Sequence, residues 1–212
     1  MKLSNNFGKC TKLCKHRRNL CKRIPKQSVY NNRKESAFII EASLIERREV
    51  RRMPTPNIVA VRIDERLIHG QVATQWSGTV GANLLLVAND AVAGDTFRQG
   101  LMNMAAPAYA QTRYFSLDKT AAIIGKASPA QKIFIICDKP QDVLTLVEKG
   151  VPIKKVNIGN MHMHEGKRQV ATSVAVDDKD VEAFKKLQDL GVTLEIQRTP
   201  TTEKEDIKKL FA

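Results

Sequence analysis

A histidine with two arginines close to it is the feature of this sequence best suited to chemistry. His69 is followed directly by Gly70 and preceded by Arg62 and Arg66 in the segment RIDERLIHGQV. A neutral imidazole is a nucleophile near pH 7, and guanidinium groups match the geometry of phosphate oxygens. Asp64 is placed to orient the ring by accepting its second N–H. The pattern favours a histidine that accepts a phosphoryl group, with the arginines stabilising the transferring charge.

Other interpretations of these polar residues stay open on the sequence alone. His69 can also be a plain surface residue, or a general base acting on an anionic metabolite. His162 and His164 either line the rim of the same cleft or bind a metal with Glu165. Asp90 and Asp138 are as well suited to capping helices as to a functional site.

Six short apolar runs predict the strands of one sheet. Most of them are continuously apolar, which is typical of parallel strands covered on both faces. They are NIVAV (57–61), NLLLVA (83–88), RYFSL (113–117), KIFIIC (132–137), KVNIG (155–159) and VTLEIQ (192–197). Polar loop residues, those around His69 among them, follow the ends of these runs, where ligands bind in such sheets. Trp76 and Cys137 are expected in the core.

Helical patterns separate the runs. A helix is predicted over Val92–Met104, with Phe97 and Leu101 at near-helical spacing. A second runs from Pro140 to Gly150, in keeping with proline at the start and glycine at the end of helices. A third begins after Asp177, carries an apolar stripe and ends at Gly191; its stripe is Val181, Phe184, Leu187 and Leu190. A short helix over residues 207–211 closes the chain. The alternation predicts an α/β fold: one domain over residues 54–212, doubly wound, with a mainly parallel sheet and helices on both faces.

The net charge of +13 belongs to the beginning of the chain. Residues 1–52 hold 15 of the 35 Lys and Arg but only 4 of the 22 Asp and Glu, which leaves about +2 on residues 53–212. Residues 1–53 are expected to be a disordered basic extension or a mis-assigned start, with Met53 as the natural first residue. A tail that docks on nucleic acid or a membrane surface is the alternative. The spacing of Cys10, Cys14 and Cys21 around His16 matches no usual zinc motif.

Several common motifs are missing from the sequence. There is no GxxxxGK[ST] loop, no GxGxxG after the first strand, no GxSxG and no HExxH. Bound nucleotide, metal or other cofactor is therefore not expected. The longest apolar run is also too short to span a bilayer.

The segment RIDERLIHGQV closely resembles the signature of IIB components in the mannose/fructose/sorbose family of the bacterial sugar phosphotransferase system. The similarity continues through GANLLLVAND, KIFIIC and GVPIKKVNIGNMH and covers residues 56–211. It implies that His69 receives a phosphoryl group on Nδ1 from a IIA domain and passes it to a sugar, as a protein-phosphohistidine–sugar phosphotransferase. Arg62 and Arg66 then cradle the phosphoryl group, Asp64 orients the site and Gln71 lies beside the histidine.

The same resemblance implies a set of partners. These are EIIA as donor, the membrane subunits EIIC and EIID, and a sugar, with no nucleic acid; a homodimer is a further expectation. The protein would lie in the cytoplasm, peripherally associated with the inner face of the membrane. The loop NIGNMH (157–162) is similar to the N-acetylgalactosamine/galactosamine branch. The rival from another class is a non-PTS anion-binding or regulatory α/β module with a docking tail.

Overall fold

The centre of the fold is a six-stranded sheet in which all pairings are parallel. The computed structural model describes residues 55–211. The sheet strands are β1 (Ile58–Asp64), β2 (Leu84–Ala88), β3 (Gln111–Phe115), β4 (Ile133–Cys137), β5 (Lys155–Asn160) and β8 (Thr193–Ile196). Their order across the sheet is β3-β2-β4-β1-β5-β8. Each of the six predicted runs overlaps one of these strands, although β1 extends to Asp64 and β3 runs from Gln111 to Phe115. The predictions for residues 1–53 lie outside the described part of the chain.

Helices cover both faces of this sheet. They are α1 (Gly70–Thr79), α2 (Asp90–Ala93), α3 (Thr96–Ala105), α4 (Leu117–Ile123), α5 (Pro140–Glu148) and α6 (Asp178–Asp189), with 3-10 turns at Ile124–Lys126 and Ile207–Leu210. Two apolar clusters fill the space between the layers. Leu84 and Leu86 belong to one cluster, whereas Leu85 and Val87 belong to the other. Since successive side chains of a strand point to opposite faces, the core has two layers, and the doubly wound α/β prediction is confirmed.

The single helix predicted over Val92–Met104 is wrong. It is divided into α2 and α3, because Asn89 accepts a hydrogen bond from the backbone of Val92 and Asp95 caps a second helix. Such caps satisfy the free amides at a helix start and so favour two short helices over one long helix. Phe97, Leu101 and Met104, which the prediction placed at near-helical spacing, are exposed.

Helix α6 begins with a capping box. The Asp177 side chain accepts from the Asp180 backbone, and the Asp180 side chain accepts from the Asp177 backbone. Phe184 and Leu187 are buried, but Leu190, expected in the same stripe, is 54% exposed. The helix ends before Gly191, whose φ of +81° lies in the left-handed region.

The sequence did not predict helix α4 or the hairpin of β6 (Arg168–Ala171) and β7 (Val174–Val176), which pair antiparallel. The hairpin follows β5 in the chain. Its first strand is short and begins with the exposed polar residues Arg168 and Gln169, so it lacks an apolar run. No helix within residues 55–211 is long and apolar enough to cross a membrane.

The connections of β1 and β4 create a crevice at the sheet's carboxyl edge. These strands are neighbours, yet β1 continues through α1 to β2 on one side of the pair, while β4 continues through α5 to β5 on the other side. Such a reversal of strand order is where open α/β sheets bind ligands. The loop that carries His69 leaves the sheet at this point.

Candidate active site

The loop between β1 and α1 is a tight turn held by its own polar and apolar contacts. The Leu67 amide donates to the Asp64 carbonyl at 2.8 Å, and the Arg66 amide donates to Asp64 Oδ1 at 3.2 Å. Leu67 has a φ of +57°, a left-handed conformation that a leucine adopts only when its surroundings enforce it. Leu67 and Ile68 are both buried in the core layer on the α1 side of the sheet. The packing of these two side chains in the core fixes the position of the next residue, His69.

His69 is the N-cap residue of α1 and is partly buried. Its Nδ1 lies 3.0 Å from the Leu67 carbonyl oxygen, whereas its Nε2 is buried and has no hydrogen-bond partner among residues 55–211. A carbonyl only accepts, so Nδ1 carries the proton and the lone pair of the neutral ring is on Nε2. Burial lowers the pKa of His69 below its ordinary value, assisted by Arg66 and Arg62 and opposed by the Leu67 carbonyl and Asp64. The imidazole is therefore neutral and nucleophilic at physiological pH.

Arg66 lies beside this histidine and is partly open to solvent. Its side chain is 39% exposed, and its Nε donates to Asp64 Oδ1 at 3.2 Å. Nη2 makes a longer contact of 3.5 Å with Asp64 Oδ2. The Asp64 contacts hold one edge of the guanidinium group. In the part of the chain that the structure describes, the remaining N–H groups have no acceptor and can bind an anion.

Arg62 does not take the place expected for a phosphoryl-binding residue. It is fully buried, and its five N–H groups all have acceptors. Nε and Nη2 donate to Asp64 at 3.3 and 3.0 Å. The other acceptors are Asn157 Oδ1 and the carbonyls of Gln197 and Arg198. We therefore correct the predicted role, because Arg62 has no donor left for a phosphate oxygen.

The surroundings of Arg62 explain this burial. Its guanidinium group lies 5.1 Å from the centre of the Trp76 ring. On its other side it packs against Gly159, where a Cβ would come within 1.8 Å of the Arg62 Cζ. Trp76 is in the core as predicted. Arg62 is thus a buried structural residue whose positive charge neutralises Asp64.

Asp64 also has a different role from the one expected. It is fully buried and accepts hydrogen bonds from both Arg62 and Arg66, and no hydrogen bond joins it to His69 within the described residues. The Leu67 carbonyl orients the imidazole instead. Asp64 positions Arg66. Gln71 lies in the first turn of α1, and its predicted contact with the phosphoryl group stays a prediction.

Residues of the loop after β5 gather around one carboxylate that the sequence analysis missed. Glu65 Oε2 lies 2.9 Å from His162 Nδ1 and 3.2 Å from His164 Nε2. Lys167 Nζ lies 3.5 Å from Glu65 Oε1. The available signal was topological, because β5 is the neighbour of β1 in the sheet and its loop carries three basic side chains. Within residues 55–211 no group of three or more His, Cys, Asp or Glu is arranged to hold a metal ion.

A cleft of about 510 Å³ opens next to this cluster. It is lined by Glu65, Asp138, Lys139, Gln141, Lys167, Asp177, Lys179 and Asp180. Burial and the neighbouring Asp138 raise the pKa of Asp142 to about 7.

Two other residues singled out in the sequence lie away from His69 in the chain. Asp90 is the first residue of α2, and its side chain accepts a hydrogen bond of 2.9 Å from the Leu117 amide at the start of α4. Cys137 is a buried core residue, as predicted.

The comparison with known families decides between the classes of function that the sequence left open. The family described as the PTS system sorbose subfamily IIB component matches residues 58–212. The chain belongs to this family. The IIB component is 49% identical over 156 residues to an N-acetylgalactosamine-specific phosphotransferase enzyme IIB component 1 of Escherichia coli, which covers 73% of this chain and 99% of the relative. It is 39% identical over 141 residues to a sorbose-specific EIIB component of Klebsiella pneumoniae, covering 66% of this chain and 86% of that protein.

Solved structures agree with this assignment. The crystal structure of the E. coli N-acetylgalactosamine-specific IIB component 1 superposes with a TM-score of 0.69, over 71% of this chain and 99% of that one. The IIB domain of the sorbose permease from K. pneumoniae gives a TM-score of 0.68 at 36% identity, over 73% of this chain and 96% of that one. The IIB component is a sugar phosphotransferase subunit of a transport system, as the resemblance implied. IIB components work with EIIA and the membrane subunits EIIC and EIID, so a regulatory module outside this system is not supported.

Proposed function

We propose that His69 is the residue that carries the phosphoryl group in this IIB component. The observation that carries the proposal is the placement of His69: a neutral, half-buried imidazole with one ring nitrogen held and the other unpartnered, at the start of α1. The first amides of a helix have no partner within the helix and attract anions. Arg66 adds a charged donor on the same side.

The reaction consists of two in-line transfers. In the first, the lone pair of the His69 ring forms a new N–P bond while the N–P bond to the histidine of the EIIA donor breaks. In the second, a sugar hydroxyl oxygen forms an O–P bond, the His69 N–P bond breaks, and the hydroxyl proton leaves to solvent or a base. Arg66 and the α1 amides stabilise the charge on the phosphoryl oxygens in both steps. Arg62 acts indirectly, by neutralising Asp64, which in turn positions Arg66.

The position of the proton on the His69 ring decides which nitrogen has a lone pair for the attack. With Nδ1 donating to the Leu67 carbonyl, the free lone pair belongs to Nε2. Transfer to Nδ1, which the family resemblance implies, requires the ring to turn away from the Leu67 carbonyl and to carry its proton on Nε2, so that the lone pair of Nδ1 is free.

The sugar and the location are further parts of the proposal. N-acetylgalactosamine or a related hexosamine is the favoured sugar, supported by the loop NIGNMH and by the E. coli relative's specificity. The component would act in the cytoplasm, at the inner face of the membrane where EIIC and EIID lie, as a monomer or homodimer.

The test is stepwise labelling with phosphoenolpyruvate. The purified protein is incubated with the general phosphotransferase enzymes, EIIA and labelled phosphoenolpyruvate, and then with membranes that contain EIIC and EIID. We expect an acid-labile label that passes to N-acetylgalactosamine faster than to mannose. Label that never leaves the protein for any sugar would contradict the second transfer. Faster release to mannose would contradict the sugar assignment alone.

A further inference from the structure

Glu65 is a charged residue at the site that the two transfers do not use, and it is the centre of an ion-pair cluster. It lies between Asp64 and Arg66 in the turn before His69, yet its side chain points away from theirs. The carboxylate contacts His162, His164 and Lys167, all in the segment that follows β5. Its backbone amide donates to the Asn160 carbonyl at 3.1 Å. Both the backbone and the side chain of Glu65 are therefore tied to that segment.

The cluster continues from Lys167 into two helices. Lys167 Nζ lies 3.0 Å from Asp180 Oδ2 at the start of α6, and its side chain is only 14% exposed. Asp180 is buried and accepts a hydrogen bond of 2.9 Å from Gln141 Nε2 of α5. Through Lys167 and Asp180, the ion-pair cluster of Glu65 is therefore connected to the helices α6 and α5. Burial opposes ionisation of Glu65, but the hydrogen bonds from His162 and His164 and the charge of Lys167 outweigh it and lower its pKa.

The turn beside Glu65 needs such support. Leu67 is held in the left-handed region, a conformation that persists only where neighbouring contacts enforce it. The buried side chains of Leu67 and Ile68 fix one end of the turn. The contacts of Glu65 with the segment after β5 hold the other end of the turn, next to Arg66. Without these contacts, only the hydrogen bonds to Asp64 would position Arg66.

We propose that Glu65 is a positioning residue for phosphoryl transfer, which holds the turn of residues 64–69 against the His162–Lys167 segment so that Arg66 and His69 face the same anion. This inference rests on the proposed role of His69. It assigns Glu65 no contact with the phosphoryl group, because a carboxylate would repel it.

The kinetic test uses Glu65→Gln, which keeps the length of the side chain and removes its charge. We measure the rate of phosphorylation by phospho-EIIA at several donor concentrations, for the wild type, Glu65→Gln, the double variant His162→Gln/His164→Gln, and the triple combination. A misplacement of about 1 Å can slow catalysis by up to about 100-fold, and we expect kcat to fall by about 10-fold in Glu65→Gln. KM for phospho-EIIA should change by less than about twofold, since ground-state binding is untouched. The triple variant should be little slower than Glu65→Gln, because groups acting through one contact are not additive.

Glu182→Gln is the matched control. Glu182 also pairs with a lysine, at 2.7 Å from Lys186, but on the exposed surface of α6. Its kinetics should equal those of the wild type. Unchanged kcat in Glu65→Gln, a rise in KM alone, or strictly additive effects in the triple variant would each overturn the positioning role.

A second measurement does not depend on phosphorylation at all. Amide hydrogen exchange of Arg66 and Leu67 reports the turn directly, because both amides donate to Asp64. We expect their protection to fall by about 10-fold in Glu65→Gln and to be unchanged in Glu182→Gln, with core strands protected in both. Unchanged protection would overturn the inference even if His69 proves to be the acceptor. A fall in protection together with no labelling of the wild type would instead contradict the proposed function and leave the support of the turn by Glu65 established.

Discussion

The end of β1 and the turn that follows it use the same residue type in opposite ways. Arg62 is fully buried in β1 with every N–H group bonded, whereas Arg66, four residues later, is 39% exposed and bonded along one edge. Asp64 lies between them and accepts from both. The buried arginine makes the carboxylate tolerable inside the protein, and the exposed arginine is the one that can meet a phosphoryl group. A place near His69 in the sequence therefore does not by itself show which arginine can bind a phosphoryl group, and burial separates the two arginines.

The largest expected effect concerns stability and breaks the buried half of this pair. Arg62→Met should lower the free energy of unfolding by about 3–5 kcal/mol, because it leaves Asp64 buried without its main counter-charge. Urea unfolding followed by circular dichroism measures the change. A loss below about 1 kcal/mol would mean that Arg66 alone compensates Asp64, contrary to the role given to Arg62.

Arg66→Ala should have the converse effect. We expect the phosphorylation rate to fall by about 100-fold, while the free energy of unfolding changes by less than about 1 kcal/mol, because the ion pair is partly solvent-exposed. Arg66→Lys keeps the charge but loses the planar fork, so an intermediate fall of about 10-fold is expected. Labelling rates and urea unfolding on the same preparations check both values. Full activity in Arg66→Ala would remove the distinction between the two arginines.

Gly159→Ala sharpens the account of why Arg62 is buried. The new Cβ would lie 1.8 Å from the Arg62 Cζ in an otherwise closed space, so a loss of about 1–3 kcal/mol in stability is expected. Gly100→Ala in α3 is the control, because a Cβ there meets nothing within 4 Å and should be neutral or stabilising by up to about 1 kcal/mol. Thermal unfolding of both variants gives the comparison. Equal stability of both variants would show that the Arg62 pocket is not closed as described.

The smallest expected effect is a shift in the titration of His69. Burial lowers its pKa below 6.5, so NMR titration of the ring should show a midpoint below that value in the folded protein. In urea the midpoint should return to the ordinary value. With the lower pKa in the folded state, the unfolded chain binds more protons than the folded chain near pH 6. Protonation of His69 therefore lowers the free energy of unfolding as the pH falls below 6.5, and it has no such effect at higher pH. A midpoint above 6.5 would contradict the half-buried placement.

The strands could be predicted because burial on both faces leaves a direct trace in the sequence. Runs such as IFIIC in β4 are apolar throughout, and the structure buries all five residues. Helical spacing did not give comparable information for Phe97, Leu101 and Met104, which are exposed. Helical spacing shows that these residues share a face of α3 and does not show whether another element covers that face.

The role of Arg62 was missed because the end of a strand was misplaced. The first apolar run ends at residue 61, but β1 continues to Asp64 and includes Arg62 between the buried Val61 and Ile63. A polar residue in a strand interior points into one layer of the core, and its partners Asn157, Gln197 and Arg198 come from distant parts of the chain. Strand length and long-range partners of this kind are set by tertiary packing, which one sequence does not reveal.

The Glu65 cluster illustrates the same limit at the site. Its basic partners lie about a hundred residues further along the chain, and only the adjacency of β1 and β5 brings them together. By contrast, the His69 motif is local. Its turn, its glycine and its helix start are all encoded within a few neighbouring positions, so the location of the site could be predicted from the sequence.

The central claim is tested most directly by locating the phosphoryl group. After labelling by phospho-EIIA under alkaline conditions, mass spectrometry of the intact and digested protein should find one acid-labile phosphoryl group per chain, on His69 and on none of the three other histidines. His69→Ala should accept no label. Its free energy of unfolding in urea should differ from that of the wild type by less than about 1 kcal/mol. Label on His162 or His164, or full labelling of His69→Ala, would contradict the account.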